Sequence, residues 1–340
     1  MDATAVTERI TSRLANTAEV ARAVAEDLIT LGRRVPADDW LIVGGSLARG
    51  EPSFLGQPNG KYLLVSDVDF LYVHYGDEPS TSIRELRSMA EKLFPTVDFM
   101  TLGLGDYRAI QTSLGFDFKD LGVALTDHGL PEHAPVELDA RDAYEILLYY
   151  VQAYFWLAVH EQWRAGADSV QFHLVVNRLS MKVLRATAML DGAYAHHDFD
   201  QMAPHLAEQM RAELRWRGDP STPPLEPGRF WTYLHDAFKR FDDEFGLPRP
   251  DAVNHSRYAT TSSGRVVARH HHASYTLARA MTEAWIASPD PEVLATVKRG
   301  TWQRITGWTG TVAQPGPEDY FRAHRREIHD HLLAMKVQVR

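Results

Sequence analysis

The hydrophobic pattern of this chain changes character near Asp139, and nothing else limits its fold as strongly. Before that point short β-prone runs alternate with helical spacing. Leu41-Ile42-Val43 stops at Gly44-Gly45, as a buried strand entering a tight turn does. A second strand is expected from about Tyr62 or Val65 to His74, a third over Thr96 to Leu102, and another over Gly122 to Thr126. Ile10, Leu14, Ala21, Val24, Leu28 and Leu31 read as one face of an amphipathic helix, and further helices are expected over Ser82 to Phe94 and Asp106 to Leu114.

After Asp139 the period-two runs vanish. Tyr144, Leu147, Leu148, Val151, Phe155 and Ala158 mark one helix, and Phe172, Val175, Val176, Leu179, Val183, Ala186 and Leu190 the next. With 340 residues, two packed units are the natural expectation. The reading is an α+β chain: a small mixed sheet with helices over residues 1–135, then an all-helical region over 136–340 with a candidate division near 220.

Composition narrows the partners. There is no cysteine, hence no disulfide framework and no zinc–thiolate site, which fits a reducing cytoplasm. Met1 to Arg13 carries Asp2 and Glu8 without an apolar core, unlike a signal peptide, and the most apolar stretch, Leu147 to Val159, is too short to cross a bilayer. These features predict a cytoplasmic protein with no membrane contact. The formal net charge of -9 disfavours long nucleic acids and favours a cationic small partner.

Three features carry chemistry. Gly44-Gly45-Ser46 follows a strand directly. Its glycines allow a sharp turn and close backbone approach, and Ser46 opens a short helix, Leu47 to Arg49, whose N–H groups and added hydroxyl suit a phosphate. Asp67-Val68-Asp69 places two carboxylates on one face of an apolar strand, with Leu71 and Val73 continuing that face into the core. Adjacent buried carboxylates repel each other, and a divalent cation with oxygen ligands such as magnesium removes the problem. Asp98 sits inside the apolar run Val97-Asp98-Phe99-Met100. If its strand neighbours the one bearing Asp67 and Asp69, three carboxylates line one cleft suited to one or two metal ions.

In this order on successive strands, Gly44-Gly45-Ser46, Leu47-Ala48-Arg49-Gly50-Glu51, Asp67-Val68-Asp69 and Asp98 resemble the nucleotidyltransferase superfamily typified by DNA polymerase β. The Gly122 to Leu125 run and the helical tail look most like bacterial aminoglycoside adenylyltransferases and related small-molecule enzymes. The motif-level likeness covers roughly residues 40 to 130, and beyond it the likeness is architectural. It implies a nucleotidyltransferase domain over 1–135 and a helical substrate-binding region over 136–340. Asp67 and Asp69 would bind magnesium on the triphosphate of ATP or another nucleotide, and Gly45 and Ser46 would hold the outer phosphates. Asp98 would complete the metal site, accept the acceptor hydroxyl's proton, or both. The product would be a small molecule, such as an aminoglycoside or natural-product intermediate, carrying a nucleoside monophosphate, with pyrophosphate released. Adenylylation of a protein and a non-catalytic binding module on the same fold are the alternatives.

The Ser46 to Asp67 interval is markedly longer than the family's usual spacing, and Phe54 to Lys61 reads as an inserted hairpin turning at Asn59-Gly60. Arg178, Lys182 and Arg185 share a helical stripe. Related enzymes often supply a basic residue from the helical domain, so Lys182, like Arg49 just past the phosphate-binding turn, is a candidate triphosphate ligand. Asp142 and Glu145 read as favourable charge at a helix start, or as carboxylates for a cationic acceptor. His270-His271-His272 and the trio His324, His329 and His331 read as solvated surface, and Tyr149, Tyr150, Tyr154, Phe155 and Trp156 as core.

Overall fold

In the computed structural model the strand β4 (Val68–His74) carries buried apolar side chains on both faces, which demands a sheet covered from two sides. The structure describes residues 3–10, 18–56, 62–64, 66–76, 83–159, 170–194, 199–219, 225–245, 262–309, 316–317 and 319–320. β4 runs antiparallel to β1 (Trp40–Val43) and parallel to β5 (Val97–Gly103), and β6 (Val123–Ala124) pairs antiparallel with β1 on its far side. The order is β5-β4-β1-β6, a mixed sheet.

Strand alternation sorts the core into two clusters. Leu41, Val43, Val68, Phe70 and Tyr72 pack with α1 (Ala3–Ile10), α2 (Ala18–Gly32) and α4 (Ile83–Leu93) through Ile10, Leu28, Leu86 and Ala90. The one-turn helix α3 (Gly45–Ala48) follows β1. On the opposite face Ile42, Leu71 and Val73 pack against Tyr107 of α5 (Leu104–Ala109) and Phe118 of α6 (Ser113–Lys119).

The structure changes two boundaries. The run expected to reach back to Tyr62 is two strands. β3 (Tyr62–Leu64) pairs antiparallel with β2 (Phe54–Gly56) as a separate hairpin, and β4 starts only at Val68. The insertion is therefore a hairpin, while its expected Asn59-Gly60 turn lies outside the described residues. The helix expected over Asp106 to Leu114 is two short helices. Ile110 and Thr112 are extended, and the Thr112 hydroxyl accepts from Gly115 N–H at 3.5 Å to start α6 afresh. The first amphipathic segment is described as α1 and α2, with residues 11–17 outside the description.

The described residues of Met1–Leu138 and Leu214–Pro223 form one compact unit, and those of Asp139–Glu213 and Pro224–Met335 another. The second is helical: α7 (Ala140–Tyr150), α8 (Val170–Met189), α9 (Pro204–Gly218, whose end belongs to the first unit), α10 (Arg229–Phe245), α11 (Ser262–Ala287) and α12 (Pro291–Thr309). α7 opens with a capping box. Asp139 accepts from Arg141 N–H at 2.8 Å and Asp142 N–H at 3.2 Å, and Asp142 accepts from Asp139 N–H at 3.1 Å. Asp142 is thereby engaged in starting the helix, and both it and Glu145 are buried. A π-helical turn, Val151–Phe155, follows α7. Phe155 and Trp156 are core, as expected, whereas Tyr149, Tyr150 and Tyr154 are only partly buried.

A buried network joins three helices of this unit. The Glu213 carboxylate accepts a bidentate pair from Arg229, Nε at 2.5 Å and its terminal nitrogen at 3.0 Å, and a bond from Asn177 Nδ2 at 2.8 Å. Further along α10, Asp242 faces Arg279. Burial pushes its carboxyl up from 3.8 to about 6, which the Arg279 guanidinium only partly offsets. A folded-state value above the unfolded one means that its contribution to stability is fully present below pH 3.8 and is lost as pH rises through about 6. Asp242→Asn removes the titration. The stability of the wild type relative to this variant is expected to fall between pH 3.8 and about 6 and level off above, read by urea unfolding across pH. A pH-independent difference would refute the assignment.

Among the described residues no helix is long and apolar enough to cross a membrane. The side chains of His270, His271 and His272 on α11, and the whole trio His324, His329 and His331, lie outside the description.

Candidate functional site

The site grows out of the end of β1. Gly44 N–H donates to Asp69 O at 2.9 Å, which ties the turn to β4. Gly45 has φ of +61°, and a Cβ there would lie 1.7 Å from Asp69 Oδ2. Only glycine fits, both by backbone conformation and because the Asp69 carboxylate rests directly on its Cα. Ser46 is 4% exposed, and its hydroxyl has no hydrogen-bond partner. An unsatisfied buried hydroxyl costs about 1–3 kcal/mol, so Ser46 stands out beside Asp69 as a group suited to a ligand.

The register of the parallel pair places Asp69 opposite Asp98. Both share the sheet face of Leu71 and Val73, since side chains two apart along a strand point the same way. Asp67 stands two residues before Asp69, ahead of the first residue of β4 rather than inside the strand. Among the described residues no three acidic or histidine side chains gather into a group that could hold a metal, so the three carboxylates do not meet at one point. Neighbouring strands lie about 4.8 Å apart, which spaces Asp69 from Asp98 at the backbone. The donor chemistry itself fits: carboxylate oxygens suit magnesium, and the Gly45 cradle beside the unpartnered Ser46 hydroxyl suits an attached phosphate.

Arg49 is occupied within the fold. Its Nε donates to Glu51 at 3.0 Å and its terminal nitrogen to Asp117 at 2.5 Å, with the guanidinium 4% exposed. Two carboxylates already match its charge, so it braces the exit of the turn. Lys182 belongs to the helical unit, where Nζ lies 4.4 Å from the Tyr150 ring centroid, and Tyr150 stacks on Tyr154 at 5.6 Å. Arg185 of the same stripe is 1% exposed and donates to Tyr194 O at 3.1 Å, so that stripe is not a solvated face.

No family model, curated protein or solved structure matches the chain. The site must be read from its own chemistry.

Sequence reasoning counted Glu51 in the motif without giving it a role, and it missed Asp117 and Ser66. Glu51 is a hub: its N–H donates to Ser46 O at 2.8 Å, its carboxylate holds Arg49, and its carbonyl accepts from Arg217 Nε at 2.7 Å. Asp117 comes from α6, and Ser66 immediately precedes Asp67. No spacing rule links Asp117 or Ser66 to the turn; only an acid flanked by apolar residues, as Asp117 is between Phe116 and Phe118, carries a local signal. A separate cavity of about 430 Å³ in this unit is walled by Gly32, Arg33, Leu125, Thr126, Asp127 and His128 among others and includes none of the three carboxylates.

Proposed function

We propose that this protein is a nucleotidyltransferase that moves a nucleoside monophosphate, AMP from ATP in the first instance, onto a hydroxyl of a small molecule. The observation that carries the reading is the Asp69 carboxylate, in register with Asp98, closing on Gly45 beside the unpartnered Ser46 hydroxyl.

In this reading Ser46 donates its hydroxyl to an outer phosphate oxygen and so gains the partner it lacks. Gly45 keeps the backbone close enough for the same phosphate to lie against the turn. Asp69 and Asp98 lie in register and Asp67 just ahead of β4, so the three carboxylates, which do not meet at one point here, would have to draw together to hold magnesium; bound, it would neutralise triphosphate charge and polarise the phosphoryl oxygens. The acceptor oxygen forms a bond to the α-phosphorus, the bond from that phosphorus to the oxygen bridging the β-phosphate breaks, and pyrophosphate departs with the electron pair. The acceptor's proton leaves to Asp98 or to solvent. Positioning supplies most of the rate. The net charge of -9 favours a cationic acceptor, aminoglycosides being the first class to try, and a cytoplasmic location supplies the nucleotide.

The test is incubation with each nucleoside triphosphate, magnesium and a panel of aminoglycosides and other polyols, reading pyrophosphate. Absence of nucleotide-dependent release with every acceptor sinks the proposal, and label appearing on protein in intact-mass analysis moves the acceptor to a protein. A sharper consequence concerns Ser46→Ala. Removing a buried hydroxyl without a partner should leave stability unchanged or raised by about 1 kcal/mol, while KM for the triphosphate rises about tenfold through the lost hydrogen bond. Unchanged kinetics in this variant would remove Ser46 from the site.

A further inference from the structure

Arg217 belongs, by its packing, to the same unit as the turn and the acidic strand, although it lies about 150 positions beyond Asp67 in the chain. It is 9% exposed at the end of α9. Its Nε donates to the Glu51 carbonyl at 2.7 Å, and a terminal nitrogen donates to Ser66 Oγ at 3.3 Å. The contact is fastened from both sides: Ser53 N–H donates to Ser66 Oγ at 2.6 Å, and the Ser53 hydroxyl donates to the Arg217 carbonyl at 2.8 Å.

The two acceptors sit at informative places. Glu51 is bonded through its N–H to Ser46 O, at the exit of the phosphate-suited turn. Ser66 is the residue before Asp67. Between them runs the whole insertion with the β2–β3 hairpin, so the chain itself imposes no short tether from Ser46 to Asp67. A planar guanidinium with donors in a fixed fork is suited to set the separation of two acceptors, which the single ammonium of lysine is not.

We propose that Arg217 is a positioning residue that braces the exit of the Gly45–Ser46 turn, at Glu51, against Ser66 ahead of the Asp67–Asp69 segment, adding a second tie to the one that Gly44 and Asp69 make within the sheet. Its bearing on catalysis rests on the nucleotidyl-transfer reading; its bearing on geometry does not. The bonds described above go to the protein itself, so its role is to position. Its loss lets turn and acids drift apart, and displacement of about 1 Å costs roughly 100-fold in turnover.

The experiment uses the full chain with Arg217→Ala and Arg217→Lys, read by amide hydrogen exchange and by pyrophosphate release. Arg217→Ala should raise exchange about tenfold or more in both residues 45–51 and 66–69 while α4 keeps its protection. Turnover should fall about 100-fold with KM for the triphosphate within about threefold, and Arg217→Lys should recover part of the loss. Exchange rising in only one segment or in neither overturns the proposal, as does turnover within about threefold of wild type. If wild type itself releases no pyrophosphate, the functional reading fails, and the exchange result alone decides the positioning role. Should Arg217→Ala not fold, Arg217→Lys carries both readouts, with a smaller change of the same pattern expected and no change overturning the proposal.

Discussion

On the proposed nucleotidyl-transfer reading, Asp69→Asn is expected to lower the rate by about three decades or more while the protein stays folded. The substitution is isosteric, so the carboxamide fills the same space against the Gly45 Cα. The backbone bond from Gly44 N–H to Asp69 O and the pairing with β5 do not involve the side chain. What is lost, on that reading, is one negative charge of the proposed oxygen donor set. Metal-assisted charge stabilisation supplies several kcal/mol to transition states of this kind, and about 4 kcal/mol corresponds to three decades in rate. Pyrophosphate release measured beside circular dichroism and thermal midpoint separates chemistry from unfolding. Activity within about tenfold of wild type in a folded Asp69→Asn variant would remove the carboxylate from the reaction.

The parts of this unit that were legible are those governed by short-range rules. The strand–Gly–Gly–Ser order marks the turn because left-handed backbone at Gly45 and a buried strand before it both leave local signatures. The face shared by Asp69, Leu71 and Val73 follows from period-two alternation, and the hairpin from turn-prone residues between short β-runs. What alternation does not encode is where a strand begins, and so Asp67 was counted as a strand residue although β4 starts one position later. Nor does helical periodicity reveal the break at Ile110 to Thr112, where buried Lys119 donates to the carbonyls of Arg108 and Ile110 at 2.9 and 2.6 Å. Arg49 read as a candidate triphosphate ligand from its place just past the turn, because its partner Asp117 is 68 positions away. Arg217 gave no signal at all, for the same reason at greater range.

The largest effect on stability is expected at Glu213. Its side chain is fully buried, with Arg229 held by both oxygens and Asn177 Nδ2 on one of them. Glu213→Ala leaves the 7% exposed Arg229 guanidinium without its counter-charge in the interior of the helical unit. Breaking one side of a buried pair costs about 3–5 kcal/mol, whereas replacing both sides with apolar groups of similar size is often neutral. Glu213→Ala should therefore lower the urea midpoint sharply, and Glu213→Leu combined with Arg229→Met should restore much of it. A single variant within about 1 kcal/mol of wild type, or a double variant no better than the single, would show that the pair contributes little.

The bond from Arg217 to the Glu51 carbonyl spans 166 positions, and this has a consequence for biosynthesis. At about 5–20 residues per second, roughly 8–30 s separate the ribosome's passage over its two ends. Once β6 at Val123–Ala124 has been made, the nascent N-terminal segment has all four strands of its sheet but not yet its bond to Arg217. Ser53, Ser66 and the Glu51 carbonyl then have water in place of the arginine. The late-made helix end acts as a clasp, so the turn and the acids gain this second tie only after the Asp139–Glu213 part of the helical unit has been synthesised.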